Sequence, residues 1–122
     1  MNLKERIDSF VTLGNFLSQL FLHDPKIFKE EVEEFTKIID RSERLNVWFT
    51  KENILLSLKT ISSQLTRNHI ESWITPYKIE DSSKMSKVAI IMAGNVPLVG
   101  FHDLLSVLIS GNKAVIKLSS ND

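Results

Sequence analysis

The spacing of hydrophobic residues changes character along this chain, from a helical period over the first 80 residues to unbroken β-branched runs near the end. Leu3, Ile7, Phe10, Leu17 and Phe21 fall on one helical face, with Gly14 on the same seam, and Val11 and Leu20 widen the stripe. That pattern predicts an amphipathic helix over residues 3–22, packed as an ordinary helix rather than as a coiled-coil seam. Glycine in a helix interior costs about 1 kcal/mol, so Gly14 predicts a neighbour approaching closely there. Asp24-Pro25 predicts the next helix start, since the carboxylate can cap free amides and proline fits the first turn. Phe28, Val32, Phe35 and Ile39 carry its core face, flanked by Ile27 and Ile38. Glu30, Glu31, Glu33 and Glu34 fall mostly on the solvent side, in the favourable half of the helix dipole; they read as a solvated face, not a metal or proton-transfer cluster.

The segment from Arg41 to Phe49 reads as a connection, with Leu45, Val47, Trp48 and Phe49 anchoring it on the helices. Thr50 is placed to cap a third helix whose inward face is Ile54, Leu58, Ile61 and Leu65. Thr66-Arg67-Asn68 breaks that helix, and a short one bearing Ile70, Trp73 and Ile74 runs up to Pro76. Asp81-Ser82-Ser83-Lys84 is a polar linker. Val88 to Met92 then has the pattern of a strand buried on both faces, ending at Gly94-Asn95 and barred from continuing by Pro97. Leu98 to Ile109 returns to helical spacing, with Leu104, Leu105, Leu108 and Ile109 on one face and Gly111-Asn112 as a left-handed cap. Ala114 to Leu118 is a second buried strand, Lys117 excepted.

Strand, helix and strand with short links make one right-handed βαβ unit with adjacent parallel strands. The expected fold class is α/β: a helical leader over residues 1–80, a linker at 81–86, and over 87–122 the first βαβ unit of an incomplete, Rossmann-like parallel sheet. Two strands leave a sheet with open apolar edges. The expectation is an N-terminal fragment of a longer protein that self-associates through exposed sheet edges or helix faces.

Composition narrows the function classes. Fifteen basic residues balance fifteen acidic ones, which gives no sign of a nucleic-acid or anionic-membrane partner. No apolar run is long enough for a transmembrane helix, and the N-terminus carries both charges, unlike a signal peptide. There is no cysteine, hence no disulfide, thiolate metal site or cysteine nucleophile within the chain. His23, His69 and His102 show no metal-ligand spacing. A cytoplasmic location is the expectation.

Candidate chemistry collects beyond the carboxyl ends of the two strands, where ligands bind in parallel sheets. No glycine-rich phosphate loop is present. Asn95 offers a side-chain amide able to donate to an oxyanion, although a left-handed turn position would account for it equally and on spacing alone is preferred. His102-Asp103 suggests a dyad, but adjacent helical residues point apart, and capping or packing explains both better. Lys117 is either a snorkelling surface lysine or a ligand for ribose hydroxyls or phosphate, with Ser119 and Ser120 able to donate beside it.

The run Gly94-Asn95-Val96-Pro97, followed by Ser110-Gly111-Asn112-Lys113-Ala114-Val115-Ile116-Lys117-Leu118-Ser119-Ser120, resembles the aldehyde dehydrogenase superfamily. Gly94 to Asp103 and the Leu-Ser-Ser ending are most similar to its acyl-CoA reductase (LuxC-like) family, as is the leader with Val47-Trp48-Phe49-Thr50. The motif match covers roughly a quarter of the chain. The resemblance implies a truncated aldehyde dehydrogenase-type domain from an enzyme reducing a fatty acyl-CoA to an aldehyde through an acyl-cysteine, with NADP or NAD as cofactor. It implies that Asn95 holds the thioester oxyanion, that Met92 and Ala93 run beside the nicotinamide ribose, and that Lys117 contacts the adenine-side ribose. Ser120 stands where many NAD-specific members have glutamate, which removes a repulsion toward a 2′-phosphate. Gly94 replaces the usual aromatic residue, which would widen the cleft, and the cysteine nucleophile is missing. The competing expectations are a small α/β interaction module without catalysis, or another aldehyde dehydrogenase relative such as a semialdehyde or glutamyl-phosphate reductase.

Overall fold

The computed structural model describes residues 1–81 and 84–120. Ser82 and Ser83 of the expected linker, and Asn121 and Asp122 at the end of the expected βαβ segment, lie outside the described residues. Four helices, α1 (Leu3–Gln19), α2 (Lys29–Leu45), α3 (Lys51–Gln64) and α4 (Arg67–Ile74), precede β1 (Lys87–Ile91), α5 (Phe101–Ile109) and β2 (Lys113–Lys117). The architecture is thus mixed helix and strand, with one two-stranded parallel sheet among the described residues. Also among them, no helix is long and apolar enough to cross a membrane.

The helical layer follows the periodicity closely. Asn2 caps α1 with a reciprocal pair: its Oδ1 accepts from the Glu5 amide at 2.9 Å, and Glu5 Oε2 accepts from the Asn2 amide at 2.8 Å. Thr50 and Thr66 cap α3 and α4 by accepting from the amides of Asn53 and His69. Ile54, Leu58, Ile61 and Leu65 are all buried, as the spacing predicts, and join Ile7, Leu17 and Ile39 in a single core. Gly14 is where α1 meets the end of α3: a Cβ placed there would lie 2.7 Å from both the Cβ and the carbonyl oxygen of Leu65. Leu65 itself is only 1% exposed. Ser62 Oγ donates to the Gly14 carbonyl at 3.2 Å across the same crossing. Arg67 at the start of α4 pairs with Asp8 of α1 and with Glu71, and these hydrogen bonds, that to Asp8 foremost, hold its guanidinium above its ordinary pKa.

Several boundaries differ from the expected ones. α1 stops at Gln19, and Phe21 and Leu22 lie exposed in the turn that follows. α2 begins at Lys29 and not at Asp24-Pro25, because Phe28 adopts a left-handed φ of 55° that no helix can run through. Edge contact with Phe16, at 5.8 Å between ring centroids, holds Phe28 there, and Phe35 meets Phe16 at 5.6 Å. At its other end α2 continues to Leu45, so part of the expected Arg41–Phe49 connection is helix. Of its four apolar residues only Phe49 packs on the core, whereas Leu45 (85% exposed), Val47 and Trp48 (62%) face outward. The buried anchor is instead Asn46.

β1 and β2 pair in parallel from Lys87↔Lys113 through Ile91↔Lys117, one residue earlier than the expected runs. α5 covers one face only, with Leu105 and Ile109 buried. The expectation of strands buried on both faces therefore fails: Ile90 is 6% exposed but Ile91 is 79% and Val115 53% exposed. Apolar runs report the environment a strand suits, and the described residues supply a cover on one side alone. Gly111, at φ 84°, closes α5, while Asn112 Oδ1 accepts from the Ser86 amide at 3.0 Å and ties the helix end to the start of β1. Arg6 Nε donates to the Ile109 carbonyl at 3.0 Å, and Arg6 Nη2 lies 3.0 Å from Asp81, so α1 holds both the end of α5 and the linker.

Substituting Gly14→Ala separates helix propensity from packing. Propensity alone would stabilise α1, yet the new methyl group meets backbone as well as side chain of Leu65, so a net loss of about 1–3 kcal/mol is expected in urea unfolding. A stability equal to or above that of the parent would show that α1 and α3 can move apart without cost.

Candidate functional site

Parallel pairing places the ends of β1 and β2 side by side. Ile91 is the register partner of Lys117, and the Met92 amide donates to the Lys117 carbonyl at 3.0 Å. The stretches starting at Met92 and at Lys117 thus emerge together on the carboxyl-end rim, the region where open parallel sheets take ligands. Five of the six residues singled out in the sequence lie at this rim, all exposed except the half-buried Ser119. They are Ala93 and Asn95 after β1, and Lys117, Ser119 and Ser120 at and after β2.

Met92 is the exception. A Cβ at Gly100 would lie 2.5 Å from Met92 Cγ, so the Met92 side chain lies over that glycine at the start of α5. With its amide engaged by Lys117, neither its side chain nor its N–H is offered to a ligand. Ala93 is exposed and small, and leaves the backbone of the turn open to close approach. Asn95 is exposed, and its side chain forms no hydrogen bond with any described residue. It does not hold the left-handed position: that conformation falls on Leu98, at φ 59°, while Pro97 is buried at the centre of the turn. A leucine at positive φ is uncommon, and its surroundings fix it here: the Phe101 amide donates to the Leu98 carbonyl at 3.0 Å and Val99 donates to Val96 at 3.4 Å. Lys117 is exposed and makes no ion pair among the described residues. Ser119 is half-buried, and Ser120 is exposed.

The turn is braced by a residue that sequence reasoning missed. Asn46, buried at the end of α2, donates from Nδ2 to the Gly94 carbonyl at 3.0 Å and accepts at Oδ1 from the Trp48 amide at 3.0 Å. One side chain thus fixes the α2–α3 connection against the rim turn, and it carries exposed Leu45, Val47 and Trp48 beside the turn's own exposed Val96, Leu98 and Val99. Nothing local marks Asn46, since an asparagine after a helix reads as an ordinary cap; its partner is 48 residues away.

His102 does not pair with Asp103 as a dyad. Its ring packs on Trp73 at 5.3 Å, in a cavity of about 390 Å³ that also meets His69, Ile70 and Leu105. His69 is held by Ser63 O and Thr66 Oγ1. Among the described residues no cluster of histidines and carboxylates could hold a metal ion. A larger cavity, about 600 Å³, lies at the opposite end of the strands between Arg6, Phe10, Asp81 and Gly111, away from the rim.

Asn46→Ala removes the brace while leaving the helices' apolar contacts in place. It is expected to cost about 1–3 kcal/mol, because two part-buried hydrogen bonds, to the Gly94 carbonyl and from the Trp48 amide, are lost at about 0.5–1.5 kcal/mol each. Faster amide hydrogen exchange should follow at Trp48 and in the 94–100 turn, with α1 and α3 unchanged. Protection unaltered in that turn would show that Asn46 does not hold it.

Compared with protein-family models, with curated proteins and with solved structures, the chain matches none.

Proposed function

We propose that this chain is the N-terminal part of a cytoplasmic, NAD(P)H-dependent acyl-CoA reductase of the aldehyde dehydrogenase type, carrying one side of the cofactor cleft and one oxyanion donor. The observation that carries the reading is the rim itself: the Asn95 turn and the Lys117–Ser120 stretch leave adjacent parallel strands at the same level. The sequence resemblance assigns roles to the same two stretches.

The residues present fit part of a dinucleotide. The Lys117 amine and the Ser120 hydroxyl are exposed at one strand end, suited to ribose hydroxyls or to a 2′-phosphate. At the other strand end, Ala93 lets a ribose approach the backbone. Met92 fits less well than the resemblance implies, since its side chain and amide are both engaged within the fold. When bound, the nicotinamide would supply the hydride. Asn95 would donate its amide N–H to the oxygen that gains charge as a thioester carbonyl becomes tetrahedral, and the brace from Asn46 to Gly94 would limit reorganisation of that donor. The chain has no cysteine, so the reading requires a nucleophile from elsewhere in the intact enzyme.

A second reading, an interaction module without catalysis, draws support from the exposure of Leu45, Val47 and Trp48 next to the same turn. Titrating the isotope-labelled chain with NADPH or NADH separates the two. Weak but saturable amide shifts confined to residues 92–95 and 117–120 are expected, and their absence at both stretches would remove the cofactor reading. In an intact reductase carrying this segment, Lys117→Ala is expected to raise the KM for the cofactor. Asn95→Ala should mainly lower kcat, by about 10²-fold. Unchanged kinetics in both variants would overturn the residue assignments.

A further inference from the structure

Among the described residues the sheet has one uncovered face, and its chemistry is defined. Strand alternation puts Lys87, Ala89 and Ile91 of β1 on the same side as their register partners Lys113, Val115 and Lys117 of β2. The middle of this face is apolar and exposed. At the strand starts Lys87 and Lys113 stand directly opposite each other, a like-charge pair that repels, and neither forms an ion pair with any described residue. Across residues 84–120 four lysines face a single acid, Asp103. An occupant matched to this face is apolar along its length and acidic at the end that meets Lys87 and Lys113.

The outer stripe of α2 matches it over its first two turns, from the acidic Glu31 and Glu34 to the apolar Ile38. Glu31, Glu34, Ile38 and Leu45 recur at helical spacing, with Arg41 in the same row, on a face that flanks the buried Val32 and Ile39. All four are exposed, and neither glutamate has an ion-pair partner among the described residues. The dimensions agree. Seven helical steps from Glu31 to Ile38 rise about 10 Å, and four strand steps from Lys87 to Ile91 rise about 13 Å.

We propose that the open sheet face docks α2 of a second copy of this chain. Glu31 and Glu34 of one molecule neutralise Lys87 and Lys113 of the other, and Ile38 covers Ile91 and Val115. Arg41, next along the stripe, repels Lys117, which keeps the contact toward the strand starts and leaves the carboxyl-end rim open. The two surfaces differ, so the association is head-to-tail unless two molecules each insert α2 into the other's face. The inference stands apart from the nucleotide reading and survives its failure.

Sedimentation of the full chain tests it. The mass is expected to rise with concentration at low salt and to fall back at high salt. The double variants Lys87→Glu/Lys113→Glu and Glu31→Lys/Glu34→Lys should each weaken self-association by about tenfold or more, and their equimolar mixture should restore it. The substituted side chains are exposed, and circular dichroism checks that each variant folds. A parent chain that stays monomeric at every concentration would overturn the proposal. So would association that persists in both reversed variants, which would point to pairing between strand edges, or a mixture that fails to associate.

Discussion

The close crossing of α1 over the end of α3 is the constraint on which the other contacts build. It exists because Gly14 has no side chain and Leu65, almost wholly buried, fills the space. A glycine there forgoes helix propensity, and the return is burial of a shared apolar layer, the larger effect at about 25 cal/mol per Å² of apolar area. With that crossing fixed, α4 turns back along α1 through the Arg67–Asp8 pair, and Arg6 reaches the end of α5. The strands are held through α5 and the rim turn through Asn46 as well, so the position of the rim depends in part on a helix crossing that involves none of its residues.

The sheet shows what happens when strand-forming sequence exceeds the cover available to it. Val88 and Ile90 face α5 and lose much or nearly all of their solvent contact, while Ala89 and Ile91, one step along the same strand, remain exposed. The pairing survives because backbone hydrogen bonds run between the strands, from Lys113 N to Ser86 O at one end and Met92 N to Lys117 O at the other, and because Asn112 and Gly111 fix the helix end against the strand start. One face thus contributes to stability, and the other is left uncovered by the described residues. Lys87 and Lys113 at one end of that face and Lys117 at the other keep it hydrated.

At the rim, order comes from the backbone more than from the candidate side chains. Leu98 takes the left-handed position, Pro97 is buried, and the Gly94 carbonyl is held from outside by Asn46. Asn95 is therefore carried on a fixed turn with its amide unengaged among the described residues, an arrangement suited to donating to a ligand. Met92, by contrast, is used up by the fold.

Much of this chain could be read without coordinates. Helical spacing located the core faces of α1, α3 and α4, Thr50 and the α5–β2 connection followed local capping chemistry, and Gly14 announced a close neighbour. These features depend on residues within a turn or two of one another, or on a period that any core imposes. The sequence left open whatever depended on distant partners. Asp24-Pro25 has the local chemistry of a helix start, but contact of Phe28 with Phe16 moved the boundary. An apolar strand looks the same whether one face or two will be covered, so the bare side of the sheet could not be foreseen. Asn46 gave no signal, because a hydrogen bond to a residue 48 positions away leaves no mark on the residues beside it. Sequence alone determined the elements and their inward faces, through short-range sterics and periodicity. Only the tertiary structure decided which boundaries held, which apolar residues stayed in water and which side chains met at the rim, since those follow from packing between segments far apart in the chain.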